Sequence, residues 1–565
     1  MEYILENPNS GTGRVEQVGD GLWKLSLSFG EAILPEPVKL HFRLPCVDVY
    51  SVWYTHFHRR KNLAPGYDKI HAPARFASGA PVMAFVSLSG QNRMALALSE
   101  VRRETEITFG ILEETGEVDG VISFFPHKTE RMAEYTCLIR EDVRDIRYED
   151  ALRGVERWWE SLGDAGAAVP LTARLPMYST WYNFHQNFKE EDLIAECTIA
   201  KRMGMDTILL DDGWQTGDNN RGYAYCGDWE VYPGKIPDMR RFTDRIHDLG
   251  MKVIVWYSVP FVGKYSKSYE TYRGFYLNDD GRTAICLDPR YPHIRAHLVE
   301  LYAKAVEDFN LDGLKLDFID SFCMTESALV PDARRDTESL EEALDLLLKD
   351  VTEALCSTRP DFMIEFRQSY IGPAVRHYGN MLRVGDCPDD PVTNRCNVVD
   401  LRLLSGNSAV HSDMLMWHPK EQTAQAAVAV LSCMFGVCQM SVMLREQKKE
   451  TLDMMAYLLG FMRRHRQTLQ QSPLYAENQE ANYTYVRACG AGETVGVVYA
   501  PYPAPVAEGK YYLFNATGVD GLVVTGGANR LYTVYDCTGR KLEEGMLTAG
   551  ATAVPVPLGG HLTVE

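Results

Sequence analysis

The chain has 565 residues, 45% of them hydrophobic and 24% charged, with 58 Lys+Arg against 77 Asp+Glu and a formal net charge of −19. That apolar content can bury a core and excludes a disordered chain, which could not offset the backbone entropy lost on folding. The acidic balance argues against nucleic acid, whose phosphates a net-negative surface repels, and the length predicts several domains.

Residues 1–150 alternate apolar and polar side chains in short runs punctuated by Gly and Pro, as in Leu22–Phe29 and Val82–Leu88. This pattern predicts an antiparallel β-sandwich domain. Its first residues, Met1-Glu-Tyr-Ile-Leu-Glu-Asn-Pro8, show no basic segment followed by an apolar one, so no secretory leader is expected. At 151–170 the period changes. Leu152, Val155, Trp158 and Trp159 lie at helical spacing and predict a linker helix.

Residues 171–470 alternate strand-like apolar runs with helical stretches. Eight runs begin at Leu175, Thr207, Lys252, Gly313, Phe362, Met381, Ala409 and Val437. Strands apolar on both faces and separated by helices imply a parallel sheet, and eight of them predict a (β/α)8 TIM barrel. A doubly wound sheet is the alternative, but no Gly-rich phosphate loop follows any run. The connection from the fifth run to the sixth is too short for a full helix. Ala426–Leu444 is nearly all apolar, yet Ser432, Gly436, Gln439 and Ser441 interrupt it. A buried helix and strand are expected there, and no membrane span. Residues 471–565 return to alternation and predict a small C-terminal β-sandwich. The 13 cysteines are odd in number, scattered and without zinc spacing. They read as free thiols in a reducing cytoplasm.

Carboxylates gather where the barrel runs end, the rim on which barrels build active sites. They are Asp211-Asp212 before Gly213-Trp214, then Asp317 with Lys315 and Asp320, Glu365 with Arg367, Asp386 with Asp389 and Asp390, and Asp413. Taken singly, Asp320, Asp390 and Asp413 also fit helix caps, and Trp181 and Trp256 fit core positions. Two carboxylates facing each other suit glycoside hydrolysis, one attacking or activating water and one protonating the leaving oxygen. Lys315 shares a strand face with Asp317 and is expected to keep that carboxyl ionised. Asp386 is expected to be raised by Asp389 and Asp390, against the pull of Arg383 and Arg395. No calcium loop, histidine pair or nucleophile elbow is found, so no metal is expected.

Five segments, Ser179-Thr-Trp-Tyr182, Leu210-Asp-Asp-Gly-Trp-Gln215, Leu287-Asp-Pro289, Gly313-Leu-Lys-Leu-Asp317 and Arg383-Val-Gly-Asp386, together resemble glycoside hydrolase family 36. The likeness is to its alpha-galactosidase (melibiase) members and their raffinose-synthase-like relatives. It covers most of the barrel, and the flanking sheet domains agree with the family's plan. It implies Asp317 as nucleophile and Asp386 as acid/base of a retaining mechanism through a covalent glycosyl-enzyme. It also implies Asp211 and Asp212 on the sugar's C4 and C6 hydroxyls, Lys315 beside the nucleophile, and Trp181, Trp214 and Trp256 around the pocket. Glu365, Arg367, Arg383 and Asp389 complete the expected substrate contacts, and the resemblance implies no cofactor.

Two departures concern the sugar. Ile364-Glu-Phe-Arg-Gln-Ser-Tyr-Ile-Gly372 replaces the family's Cys- and Gly-rich segment, and Ser258-Val-Pro-Phe261 replaces its acidic pattern. Arg367 either salt-bridges Glu365 as scaffold or contacts an unusual, even anionic, substituent. The expectation is a cytoplasmic alpha-galactosidase acting on small oligosaccharides or glycosides, and the resemblance allows a homo-oligomer. The alternatives are a galactosyl-transferring enzyme, a glycosidase for an N-acetylated, pentose or anionic sugar, and a silent sugar-binding protein.

Overall fold

Alternation in the first 142 residues yields two antiparallel sheets, of five and six strands, sharing one core. In strand Val38–Pro45, Val38, Leu40 and Phe42 are buried while Lys39 and Arg43 face solvent, the period of two that a half-buried strand requires. The computed structural model describes the chain except residues 1, 7–10, 56–60, 128, 278–280, 326, 358 and 368–370.

Helix α1 (Tyr148–Ser161) follows, with Glu149 and Asp150 in the first turn, where they suit the helix dipole. Leu152, Val155 and Trp159 are fully buried and Trp158 partly so. The Trp159 indole donates to the Leu98 carbonyl at 2.8 Å, and the Tyr148 hydroxyl donates to the Ala476 carbonyl at 3.2 Å. One helix therefore ties the N-terminal sheets to the C-terminal ones.

Eight parallel strands form the central sheet: β1 (Met177–Ser179), β2 (Thr207–Leu210), β3 (Lys252–Ser258), β4 (Gly313–Asp317), β5 (Met363–Arg367), β6 (Met381–Arg383), β7 (Ala409–His411) and β8 (Gln439–Met440). They pair in sequence order, β8 pairs with β1, and a bridge between His411 and Val437 joins β7 to the chain entering β8, so the barrel closes. The eight runs read from the sequence are these eight strands. The longer helices between and after them are α2 (Glu190–Arg202), α3 (Met239–Asp248), α4 (Pro292–Phe309), α5 (Leu340–Cys356), α6 (Pro391–Leu404), α7 (Thr423–Ser432) and α8 (Lys449–Arg464). Between β5 and β6 stands the short 3-10 turn Val375–His377, the abbreviated connection expected. Ala426–Leu444 folds as the rest of α7 and β8, and among the described residues no helix is long and apolar enough to cross a membrane.

Inward-facing residues stack in layers. Ala173, Met177, Leu209, Ile254, Met363, Met381 and Ala409 make an apolar floor. Gly313 completes it, because a Cβ there would lie 2.5 Å from the Met363 carbonyl oxygen. Two residues further along each strand the inward positions turn polar, and that layer begins the site. The C-terminal region holds a seven-stranded and a three-stranded sheet, mixed rather than purely antiparallel, since Glu493–Val498 runs parallel to Lys510–Asn515.

Trp159→Ala is expected to destabilise the chain by about 3–5 kcal/mol, through the cavity and the orphaned Leu98 carbonyl. Urea unfolding measures this against Trp158→Ala, whose effect should be clearly smaller.

Candidate active site

Above the apolar floor, each strand adds a polar residue on the inner face. β4 supplies Lys315 and then Asp317, both within 3% of full burial. The Asp317 carboxylate accepts from the Trp256 indole (Oδ2, 2.7 Å), from the backbone N–H of Phe318 (Oδ1, 2.8 Å) and from Arg367 Nε, with Lys315 Nζ at 4.0 Å. Burial alone would raise its pKa. Arg367 and Lys315 outweigh burial and hold the carboxyl below its ordinary value. Phe318 adopts φ 65°, ψ 22°, a left-handed conformation costly for a bulky side chain. That backbone turn accompanies its N–H bond to the preceding carboxylate.

Lys315 Nζ donates to Asp211 Oδ2 at 2.7 Å, and the other Asp211 oxygen accepts the Asp212 N–H at 2.9 Å. Asp212 points elsewhere: it accepts from Gln186 (2.8 Å) and Gln215 (2.7 Å), and burial pushes its pKa up to about 6. Trp214 is fully buried between Trp229 and Tyr257 and donates to the Trp256 carbonyl at 3.0 Å. It backs Trp256 rather than walling the cavity. Trp181 remains partly exposed at the end of β1, edge-on to His185.

Opposite these residues, the Arg383 guanidinium bridges two carboxylates, Asp386 at 2.5 Å and Asp413 at 2.9 Å. Asp413 also accepts from the Tyr182 hydroxyl (2.8 Å) and the Cys387 N–H (2.7 Å). The Asp386 side chain is half exposed, at 47%. Burial raises its pKa, but Arg383, then Arg367 and Lys315, pull it well below the carboxylate range. The expected elevation by Asp389 and Asp390 is not made. Asp389 is exposed with φ 56°, and the charges acting on it are Glu421 and His418. Asp390 caps α6, accepting from Val392 N (3.1 Å) and Thr393 N (3.0 Å). Arg395 donates to the Asn482 carbonyl and stacks on Tyr499.

The scaffold pair Arg367–Glu365 is likewise replaced. Arg367 turns to Asp317 and lies 4.4 Å over the Phe318 ring. Glu365, fully buried, accepts from Gln439 Nε2 across the barrel at 2.5 Å, and burial pushes its pKa up to about 7. Gln368, Ser369 and Tyr370 of the departing segment lie outside the described residues. Tyr223, Phe261 and Phe318 form a ring cluster beside Trp256, with centroids 4.9–6.2 Å apart. Asp413, Tyr182 and Gln439 were not among the sequence candidates for contact. Gln439 had a signal, a polar residue amid an apolar run, and Tyr182 stood within a quoted motif. Among the described residues no group of three or more His, Cys, Asp or Glu could hold a metal. What the arrangement offers is one buried ionised carboxylate, one half-exposed carboxylate on the same rim, and polar side chains able to bind hydroxyls.

A barrel of this plan, with paired carboxylates on its rim, is the architecture of glycoside hydrolases. The Melibiase family model matches residues 172–471, and the chain belongs to that family. It is 28% identical to an alpha-galactosidase of Lactobacillus acidophilus over 151 residues, 25% of this chain and 20% of that protein. It is 27% identical to an A type blood alpha-D-galactosamine galactosaminidase of Flavonifractor plautii over 194 residues, 30% of this chain and 17% of that protein. The matched part thus spans about a fifth of those relatives' length. Among solved structures, the alpha-galactosidase of Lactobacillus brevis aligns at TM-score 0.66 and 15% identity over 100% of this chain and 84% of its own. A variant of the family 36 alpha-galactosidase AgaA of Geobacillus stearothermophilus, in complex with raffinose, aligns at TM-score 0.63 and 14% identity, over 100% and 87%. These structural likenesses share the fold.

Glu365 carries a pH signature. Its folded pKa lies above the unfolded 4.5, so the stability it contributes is full below about 4.5 and is lost as pH rises through about 7. The melting temperature of Glu365→Gln relative to the native chain should therefore rise between those pH values, as differential scanning fluorimetry would show.

Proposed function

We propose that the chain is a retaining alpha-galactosidase acting on small oligosaccharides or glycosides, with Asp317 as nucleophile and Asp386 as acid/base. The observation that carries this reading is the contrast between the two carboxylates. Asp317 is buried and held ionised by Trp256, the Phe318 N–H and Arg367. Asp386 is half exposed, and Arg367 and Lys315, which act on Asp317, also act on its charge, which supports a shared site for the two carboxylates. Family membership and the names of the matched relatives support the reaction class. The raffinose and stachyose found in structures of the Geobacillus enzyme support an oligosaccharide substrate. All 13 cysteines are free thiols, which supports a reducing compartment.

In this mechanism the sugar lies over Trp256 with its hydroxyls toward Lys315 and Asp211. An ionised Asp317 oxygen attacks the anomeric carbon from one face while Asp386 gives its proton to the departing oxygen on the other. Water then enters with Asp386 as base, and the sugar leaves with the anomeric configuration retained. Asp386 must be protonated for the first step, yet Arg383 holds it ionised in the ligand-free chain. Asp413 resolves this. It offers the Arg383 guanidinium a second carboxylate, so Arg383 can lean on Asp413 while an entering glycoside removes water from Asp386 and raises its pKa.

The test is hydrolysis of aryl alpha-glycosides with galactose, N-acetylgalactosamine, galactosamine, glucose, xylose and arabinose heads. Galactoside cleavage is expected, falling about 10³-fold or more in Asp317→Ala. Full activity in that variant, or silence on every galactoside, would overturn the assignment. Asp386→Asn should lose about 10²–10⁴-fold on sugar leaving groups and much less on nitrophenolate, which needs no proton. A third measurement isolates the Arg383 bridge. In Asp413→Asn the guanidinium acts on Asp386 alone, so the acid deprotonates earlier and the basic limb of kcat/KM moves to lower pH. An unmoved limb would leave Asp413 a packing residue.

A further inference from the structure

The catalytic mouth lies at the C-terminal ends of the strands; a second polar cavity lies at the other end of the barrel. Helices of a (β/α)8 barrel run back toward the strand N-termini, so the last turn of α6 sits at the barrel's base. Arg402 stands there, 8% exposed. Its Nε donates to the Phe435 carbonyl at 3.0 Å, and its Nη2 to the carbonyls of Leu469 (3.2 Å) and Ser472 (3.3 Å). No carboxylate lies within 4.0 Å of it among the described residues. Buried guanidinium groups are ordinarily paired with an anion, because a desolvated charge without one is costly. The neighbours aggravate the cost: Arg174 and Arg153 are the charges acting on Arg402, and both are positive. Burial and these two like charges push its pKa down to about 9.

Arg402 lines a cavity of about 190 Å³ with Arg153, Arg157, Gln471 and Ser472, space for about six waters. Arg153 is held by Asp150 and by the Leu474 carbonyl at 3.2 Å; Arg157 is exposed. Glu156 is the carboxylate in the wall. It sits 3.7 Å from Arg376, and burial pushes its own pKa up to about 7. Three guanidiniums thus converge on one cavity of a chain whose net charge is −19.

We propose that this cavity is an anion site for a tetrahedral phosphate group, either inorganic phosphate or the head of a phosphomonoester, gripped by Arg402 from below and by Arg153 and Arg157 from the sides. Guanidinium groups favour phosphate oxygens; the backbone carbonyls take Nε and Nη2 of Arg402 and fix its orientation, which leaves Nη1 as its donor to the anion. The occupant would bridge α1, α6 and the strand Leu474–Glu477, and so fasten the C-terminal sheets to the barrel.

Calorimetry and thermal unfolding of the full chain test this in a chloride buffer, with sodium phosphate or a hexose 6-phosphate added at constant ionic strength. Ten millimolar phosphate should raise the Tm by about 2 °C or more through preferential binding to the folded state. Arg157→Ala, a surface change that leaves the fold intact, should weaken binding about tenfold, and Arg402→Gln should abolish it. Equal affinity for phosphate and the hexose phosphate identifies the free ion as ligand; tighter binding of the ester identifies a phosphomonoester. No heat and no Tm rise with either ligand in the native chain, or undiminished binding in Arg157→Ala and Arg402→Gln, would overturn the proposal.

Discussion

The alternation of charge across the barrel interior is the constraint on which the site depends. Lys315 stands between Asp211 and Asp317, Arg367 on Asp317, and Arg383 between Asp386 and Asp413. Each of these groups would be expensive to bury alone. Together the three cations offset all but one of the four carboxylate charges, and each fixes the rotamer of the next, because a guanidinium or ammonium shared by two carboxylates has little freedom to move. Removing one member would expose its neighbour as an uncompensated charge as well as delete a ligand contact. The apolar floor below supplies the rigidity that the polar layers lack, and Gly313 lets that floor pack without pushing β4 outward.

Position along each strand decides role. Lys315 and Asp317 differ by two residues and so face the same way, one a layer above the other. The same step separates Glu365 from Arg367 on β5. The lower member of that pair is dry and satisfied by Gln439; the upper one reaches the reactive carboxylate. The left-handed turn at Phe318 then ends β4 with an N–H directed at Asp317, so backbone geometry joins the side-chain network.

Much of this was legible in the chain. Period-two alternation marked the outer sheets, and continuous apolar runs marked all eight barrel strands, because burial on both faces leaves no polar side to read; five of the runs close in carboxylates. The rim residues Asp211, Asp317 and Asp386 were legible for the same reason: charge at the end of an apolar run needs an explanation. Partner choice was not legible. Arg367 is two residues from Glu365, yet it reaches across to Asp317 on the next strand, since residues two apart on a strand stand in successive layers while strand neighbours share one. Asp389 and Asp390 are close to Asp386 in sequence, but Asp390 begins a helix and the left-handed Asp389 turns away, so neither shares its environment. Trp214 is fully buried and donates to the Trp256 carbonyl, a partnership that nothing in its sequence position showed.

The two rim carboxylates are both held ionised but differ in exposure, and the roles proposed for them account for the difference. A nucleophile contacts one carbon of a bound sugar and needs no solvent, so in that role Asp317 can be enclosed by donors that keep it ionised. An acid must exchange its proton each turnover and meet whatever group the sugar carries, so it belongs at the mouth. Asp386, 47% exposed and held by Arg383, is in that position. The guanidinium that lowers its pKa in the open state is shared with the buried Asp413, which four groups on three elements hold in place: Tyr182, Arg383, Cys387 N and the Asn394 amide against its backbone. A buried carboxylate behind a half-exposed one gives the arginine a partner when the front one changes charge. Protonating Asp386 removes one negative charge from the bridge and leaves Arg383 balanced by Asp413 alone, which is what the proposed role of acid and then base asks of it.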